Sequence, residues 1–154
     1  MTLSSPTLVD ATDPPKPTVS GCRPSPPLVL CIDDDREIAK IWQLRLATRG
    51  IAVESAANGI DGFKSAVEKC PALILLDLCL PGEDGNQVLA RLRRHPKTRH
   101  IPVVMLTGSD PSGARRATSQ DRADDYLTKP VNFADLLERI EAYLRANSVV
   151  RPTS

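Results

Sequence analysis

The sequence predicts an α/β fold built on a mostly parallel β-sheet. From residue 28 onwards, short apolar runs that suit buried strands alternate with stretches whose apolar residues recur at helical spacing. Five such strand–helix units can be counted between residues 28 and 146. Two of the apolar runs end in carboxylates, and the strand ends of open α/β sheets are where ligands gather. The length of 154 residues suits a single domain.

The segment 1–27 differs in character from the remainder of the chain. It holds seven of the 14 prolines, mixed with Ser and Thr, and has no apolar periodicity. Such a composition cannot bury enough surface to offset the entropy of ordering. We therefore expect a disordered proline-rich tail over 1–27, a folded domain over 28–146 and a short C-terminal tail over 147–154.

The first unit begins with the apolar strand 28–32. Asp35 is placed to cap the following helix, and we assign it no chemistry because a carboxylate at a helix start satisfies unpaired amides. Gly50 is a suitable residue to end that helix. The residues expected on its buried face are Ile38, Ile41, Trp42 and Leu46.

The second unit has a short strand over 52–55 and a helix for which Asn58 is the expected cap. This helix is predicted to end at Cys70, because Pro71 follows it. The residues expected to point inward from the helix are Ile60, Phe63 and Val67.

The third and fourth strands are the most apolar. Residues 72–76 form an unbroken apolar run, typical of a strand buried on both faces, and the run ends at Asp77. The helix after Gly85 presents Val88, Leu89 and Leu92. The fourth strand is predicted over 101–106 and ends at Thr107.

The last part of the domain combines a weak helix with a strong one. Between Gly108 and Asp125 there is no Leu, Ile, Val, Phe or Met, and the inner face of a helix there can offer only Ala114, Ala117 and Ala123. We therefore expect a short, loosely held fourth helix with low protection from hydrogen exchange. A short fifth strand runs from Asp125 to Thr128, and Asn132 caps the last helix. The inward residues of that helix are Phe133, Leu136, Leu137, Ile140 and Leu144.

Composition excludes several classes of function. With 20 basic and 19 acidic residues the net charge is +1, so no global field favours nucleic acid or an anionic membrane. The four cysteines form no CxxC pair, which indicates a reduced, cytoplasmic setting. We find neither a secretory signal nor an apolar run long enough to span a bilayer. The basic stretch 91–100 lacks interleaved aromatic residues, and we interpret it as a solvated loop without direct nucleic-acid contact.

The residues that end the strands form a candidate site. They are Asp33 and Asp34 after the first strand, Asp77, Thr107 and Lys129. Because the carboxyl ends of parallel strands share one edge of a sheet, three carboxylates, a hydroxyl and an ammonium are expected to converge. Oxygen ligands of high negative charge favour a hard cation such as Mg²⁺. A phosphoryl group transferred to Asp77 would then lie between that ion, the ammonium and the hydroxyl.

These motifs, taken in order, resemble the receiver domain of two-component response regulators over about residues 28–146. The resemblance rests on the acidic pair Asp33-Asp34, on LLDLCLPGEDG at 75–85, on MLT at 105–107 and on DDYLTKP at 124–130. It implies a flavodoxin-like (βα)5 doubly wound parallel sheet with strand order 2-1-3-4-5. It also implies a signalling switch rather than an enzyme. Because the nine residues after Arg145 are too few for a further domain, we expect a stand-alone receiver.

The resemblance assigns metal-binding roles. Asp77 resembles the phosphoacceptor, and Asp34 and Asp77 resemble the direct Mg²⁺ ligands. The backbone carbonyl of Cys79 resembles the remaining protein ligand, and Asp33 acts through water.

It assigns switching roles as well. Lys129 resembles the lysine that pairs with the phosphoryl group, and Thr107 resembles the hydroxyl that moves onto it. Tyr126 matches the aromatic residue that turns inward when the hydroxyl moves. The implied partners are a histidine kinase or a histidine phosphotransfer protein, followed by a downstream protein target.

Three other functions fit these residues less well. A pseudo-receiver, which binds proteins without being phosphorylated, usually lacks one of the acids or the lysine, and all are present here. A haloacid dehalogenase-type phosphatase needs a second Asp two positions after the nucleophile, where this chain has Cys79. A flavin carrier needs a first loop rich in Gly, Ser or Thr, whereas the loop here is the triplet 33–35 of aspartates.

Overall fold

The structure is a computed structural model that describes residues 26–108 and 122–150. Most of the tail expected over 1–27 therefore lies outside the described residues, as do residues 151–154. So does most of the fourth helix expected between Gly108 and Asp125, with its hydrogen-exchange behaviour. These expectations stay predictions.

The described elements follow the predicted alternation of strands and helices. In chain order they are β1 (Leu28–Ile32), α1 (Arg36–Ala47), β2 (Ala52–Ala56), α2 (Gly59–Lys69), β3 (Leu73–Asp77), β4 (Cys79–Leu80), β5 (Glu83–Asp84), α3 (Gly85–Arg94), β6 (Val103–Thr107), β7 (Asp125–Thr128) and α4 (Phe133–Val150). The short antiparallel hairpin of β4 and β5 was not predicted. The last helix also continues to Val150, past the boundary expected at residue 146.

The main sheet has five strands in the order β2-β1-β3-β6-β7, and all of its pairings are parallel. Counted within that sheet alone, the order is 2-1-3-4-5, so the predicted topology is confirmed. Strands β3 and β6 are buried over their whole length. Burial on both faces requires the continuous apolar composition seen in the sequence. The carboxyl ends of the strands consequently share one edge.

Helices α1 and α4 cover one face of the sheet. Their buried side chains include Trp42 and Leu46 from α1 and Leu136 from α4. The prediction that Ile41 points inward is wrong, since 48% of it is exposed. The buried stripe of α1 runs through Ala39 rather than Ile41, because a small residue lets the helix lie close to the strands.

Helices α2 and α3 cover the opposite face. The prediction that Ile60 points inward is also wrong, since 67% of it is exposed. Helix α2 buries Gly59, Gly62 and Ala66 instead. A Cβ at Gly62 would lie 2.6 Å from the side chain of Ile32, so only a glycine allows this close approach to β1.

The predicted helix caps are confirmed. The Asp35 carboxylate accepts hydrogen bonds from the N–H groups of Glu37 and Ile38 at the start of α1. Asn58 caps α2, and Asn132 caps α4, in each case through the side-chain oxygen. Helix α2 ends at Cys70 as predicted, in a left-handed conformation with φ of 45°.

Within residues 26–108 and 122–150, every helix is too short or too polar to cross a membrane.

Candidate functional site

Three carboxylates meet at the carboxyl edge of the sheet. Asp77 is the last residue of β3, and Asp33 and Asp34 follow β1 directly. One oxygen from each of the three lies within 4.8 Å of the others. Asp33 and Asp77 are buried, at 2% and 4% exposed, whereas Asp34 is exposed. The predicted convergence of these acids on one site is therefore what the fold brings about.

Lys129 neutralises part of this charge. It follows β7, and its Nζ lies 3.3 Å from Asp33 Oδ2 and 3.2 Å from Asp77 Oδ2. Partial burial alone would lower the pKa of Lys129, but the charges of the two carboxylates and the hydrogen bonds to them outweigh burial and raise that pKa. The ammonium is consequently retained at neutral pH, between the two buried acids.

The pKa of Asp33 is also raised, and here burial is the main cause. Loss of hydration raises the pKa of Asp33, and the neighbouring Asp77 charge raises it further. A hydrogen bond from the Asp35 N–H at 3.0 Å and the charge of Lys129 act against this rise without cancelling it. Beneath the acids, the buried Cys31 thiol has its pKa raised to about 12, first by burial and then by the Asp33 charge. Cys31 therefore stays protonated and acts as a core residue.

The donor set fits a divalent metal ion. Three carboxylates against one ammonium leave two uncompensated negative charges within the described site, and all of the acidic ligands are oxygens. Oxygen ligands that remain partly open to solvent at Asp34 suit Mg²⁺, which keeps several of its waters. The aspartate cluster therefore offers the oxygen ligands that a Mg²⁺ site needs.

The loop after β3 closes on Asp77 through its backbone. The Cys79 N–H donates to Asp77 Oδ1 at 3.1 Å, and the Gly85 N–H donates to the carbonyl of Leu78 at 2.7 Å. A Cβ at Gly85 would lie 2.5 Å from the Asp77 carbonyl oxygen, so glycine is required there. The Cys79 side chain is exposed, and the role expected of its carbonyl as a metal ligand stays a prediction.

Thr107 and Tyr126 occupy the two strands nearest Lys129. Thr107 is the last residue of β6, is 1% exposed, and accepts a hydrogen bond through its carbonyl from the Lys129 N–H at 2.7 Å. The hydroxyl residue and the ammonium residue thus end adjacent strands. Tyr126 lies within β7, is partly buried, and packs against the core formed with α2 and α3. The switching roles of both residues stay predictions.

The interpretation of the whole basic stretch 91–100 as a solvated loop is wrong for its first residues. Arg91 and Arg93 belong to α3, and each makes specific contacts. Arg93 is 13% exposed and bonds to the Asp124 carboxylate at 2.8 Å, while Arg91 pairs with Glu83. Glu83 lies eight positions before Arg91, a spacing that does not predict a contact along a helix. Only the packing of the loop against α3 therefore reveals the Glu83–Arg91 pair.

Comparison with known proteins agrees with this geometry. The family model for the response regulator receiver domain matches residues 29–141. The DNA-binding dual master transcriptional regulator RpaA of Synechocystis sp. is 43% identical over 119 residues, or 77% of this chain and 49% of that protein. The uncharacterized transcriptional regulatory protein YkoG of Bacillus subtilis is 41% identical over 120 residues, or 77% of this chain and 51% of that protein. The chain thus spans about half the length of the curated relatives it matches.

Solved structures agree with the family match. The crystal structure of a CheY-like response regulator receiver domain protein from Methanospirillum hungatei JF-1 superimposes with a TM-score of 0.71 at 28% identity. The match covers 79% of this chain and 96% of that chain. It therefore extends over nearly the whole of the other receiver domain.

Proposed function

Because this chain belongs to the response regulator receiver domain family, we propose that it is a phosphorylation-controlled switch whose phosphoacceptor is Asp77. Receiver domains of this family are signalling switches of two-component systems rather than typical enzymes. The observation that carries the proposal is the position of Asp77, a buried carboxylate at a strand end within 4.8 Å of two further acids and 3.2 Å from an ammonium. A structural carboxylate has no need of such neighbours.

Asp77 acts as the nucleophile. One of its carboxylate oxygens forms the new O–P bond while the P–N bond to the imidazole of the donor breaks, and the electron pair of that bond stays on the imidazole nitrogen. Lys129 already contacts Asp77, with its Nζ 3.2 Å from Asp77 Oδ2, so its ammonium is placed to meet a phosphoryl group on that carboxylate. The ammonium then stabilises the negative charge that arrives with the phosphoryl group.

Asp34 and Asp77 would hold Mg²⁺ directly in the proposed site, with the Cys79 carbonyl as a further ligand. A bound Mg²⁺ supplies the positive charge that lets a phosphoryl group approach a carboxylate cluster. Asp33 acts through water and also keeps Lys129 at the site by the contact of 3.3 Å. Removal of the ion by a chelator should therefore abolish phosphorylation.

Phosphorylation shifts the population between two arrangements of the domain. The Thr107 hydroxyl moves onto the phosphoryl group, and Tyr126 turns into the space that the hydroxyl leaves. Support comes from the adjacency of the β6 and β7 ends, which are joined by the Lys129 to Thr107 hydrogen bond. The altered surface is then read by a partner protein.

The phosphoryl donor is a phosphohistidine on a histidine kinase or a histidine phosphotransfer protein. The output is a downstream protein target, with no direct nucleic-acid contact by this domain and no membrane insertion. We also propose a reduced, cytoplasmic setting, which the free Cys31, Cys70 and Cys79 thiols suit.

The test uses the full chain with Mg²⁺ and acetyl phosphate. Intact-mass measurement should detect one added phosphoryl group on the wild type and none on Asp77→Asn. Trp42 is the single tryptophan, so its fluorescence should also report on Mg²⁺ and beryllofluoride. Arg94→Met serves as a variant control that should be phosphorylated like the wild type.

The alternative is a pseudo-receiver that binds proteins without phosphorylation. It would be favoured by a wild type that gains no mass and shows no fluorescence response, or by an Asp77→Asn response equal to that of the wild type. Retention of Asp33, Asp34, Asp77 and Lys129 in one cluster argues against it.

A further inference from the structure

In the loop from Leu78 to Gly85, the Glu83 side chain makes an ion pair that lies outside the acidic cluster. The loop folds as the β4–β5 hairpin, and its main chain touches the phosphoacceptor through the Cys79 N–H and Asp77 Oδ1. Anything that displaces this hairpin therefore displaces a hydrogen-bond donor of the Asp77 carboxylate. The hairpin itself has only two residue pairs and is too short to hold its own position.

Glu83 fastens the hairpin to its surroundings. Its side chain is 16% exposed and forms an ion pair with Arg91 of α3. A Cβ at Gly59 would collide with the Glu83 carboxylate, so this carboxylate lies against the first residue of α2. The position also suits a negative charge, because the amino end of a helix carries partial positive charge.

Arg91 completes the connection. Its guanidinium carbon lies 5.7 Å from the ring centroid of Phe63, a residue of α2. The Phe63 ring in turn makes an edge contact with His95 at a centroid distance of 5.6 Å. One arginine thus joins the hairpin to both helices on this face of the sheet.

We propose that Glu83 and Arg91 are positioning residues of the metal site. Their ion pair holds the β4–β5 hairpin against α2 and α3, and thereby keeps the Cys79 main chain against Asp77. Neither side chain touches the reacting atoms. The inference rests on the proposed function in one respect, namely that Asp77 and Cys79 belong to a Mg²⁺ site.

Electrostatics and positioning predict opposite results for Arg91. If only charge mattered, loss of a positive charge from the domain would tighten Mg²⁺ binding to the acidic cluster. If the ion pair positions the hairpin, loss of the same cation loosens the ligands and weakens binding. The sign of the change in Mg²⁺ affinity at Arg91 therefore separates the two explanations.

The experiment is calorimetric titration of the full chain with Mg²⁺ alone. Arg91→Met should raise the dissociation constant about tenfold, the lower end of the range for residues that support metal ligands. Glu83→Gln should raise it to a similar extent, and the double variant should be no weaker than the weaker single one. Arg91→Lys, which keeps the charge, should recover part of the affinity.

Arg94→Met is the matched control. It removes the same charge from the same helix at an exposed position, and it should leave the Mg²⁺ dissociation constant close to that of the wild type. Guanidinium unfolding without Mg²⁺ identifies any variant that fails to fold. Arg91→Gln replaces Arg91→Met if that variant does not fold.

The outcomes separate the two proposals. Unchanged or tighter Mg²⁺ binding by Arg91→Met or Arg91→Gln overturns the positioning role while leaving the proposed function intact. Additive losses in the double variant overturn it as well. A wild type that neither binds Mg²⁺ nor accepts a phosphoryl group overturns the proposed function and this inference with it.

Discussion

Asp33 carries an electrostatic cost in the folded chain. It is 2% exposed and lies beside Asp77, and both burial and that neighbouring charge raise its pKa. A raised folded-state pKa means that folding favours the protonated form. The corresponding stability is fully present below the ordinary carboxyl pKa and is lost as pH rises through the raised value. Above that raised pKa, the ionised Asp33 therefore lowers the free energy of unfolding.

We expect Asp33→Asn to be more stable than the wild type at pH 7 without Mg²⁺, by an amount on the order of 1 kcal/mol. The asparagine carries no charge, and Lys129 keeps its contact with Asp77 at 3.2 Å. Urea unfolding at pH 7 and again below the ordinary carboxyl pKa measures the difference, which should shrink at the lower pH. Asp34→Asn, at an exposed position, should change stability less. A less stable Asp33→Asn at pH 7 contradicts the explanation.

The acidic residues of the site were predictable one by one. Asp77 ends a strand so apolar that packing does not explain a carboxylate there. Asp33 and Asp34 stand in the same position after β1. Glu83 was not predictable, because its partner Arg91 is reached only through the folding of the hairpin against α3. Local sequence reports whether a residue ends a strand, and it does not report which distant side chain will face it.

Helix α3 is fastened to the sheet at its carboxyl end by Arg93. The guanidinium donates to the carbonyls of Arg122 at 3.2 Å, Arg99 at 3.1 Å and Ile101 at 2.8 Å. It also bonds to the Asp124 carboxylate at 2.8 Å, and that carboxylate accepts the Val103 N–H. One side chain thus joins a helix to the beginnings of two neighbouring strands.

Arg93→Met should lower the free energy of unfolding by about 2 kcal/mol or more, because several acceptors lose a charged donor at once. Chemical denaturation of the full chain measures the loss. Arg99→Met changes an exposed side chain in the same basic stretch and should shift stability by less than about 0.5 kcal/mol. Equal effects of the two substitutions would mean that the hydrogen bonds of Arg93 contribute no more to stability than an exposed side chain does.

Periodicity predicted the elements better than their orientation. Helices α1, α2, α3 and α4 all begin near the expected residues, because caps and apolar spacing are local properties. Their ends are less well predicted, since α3 includes the first residues of the basic stretch 91–100 and α4 continues to Val150. Ile41 and Ile60 were placed inward incorrectly, because the buried stripes are centred on small residues that carry little hydrophobic signal. The β4–β5 hairpin was missed, because two-residue strands have no period to detect.

The two halves of the core share the same strands. Along β1, Val29 and Cys31 face the side covered by α1 and α4, whereas Leu30 and Ile32 face the side covered by α2 and α3. The strand cannot lose its packing on one side without losing the sheet that supports the other. We therefore infer that the described domain unfolds as one cooperative unit.

Substitutions on opposite faces of the sheet test this cooperativity. Leu46→Ala on α1 and Leu92→Ala on α3 remove fully buried side chains, and each should cost about 2–5 kcal/mol. Trp42 lies with Leu46, so its fluorescence reports directly on one side only. The fluorescence and far-ultraviolet circular dichroism midpoints should nevertheless shift together for Leu92→Ala. A Trp42 midpoint that ignores Leu92→Ala would mean that the two sides unfold independently.

The sequence predicts the class of fold and the residues that end the strands. It also predicts the strand order, through the resemblance to receiver domains. Burial and main-chain conformation produce local patterns of apolar spacing, helix caps and helix-ending residues, and these patterns can be recognised from the sequence alone. Only the tertiary structure shows that Lys129 bridges Asp33 and Asp77 and that Glu83 pairs with Arg91. The same holds for the attachment of α3 to the sheet by Arg93. Contacts of this kind depend on the register of parallel strands and on how closely small residues let the helices approach, and both arise only when distant segments pack together.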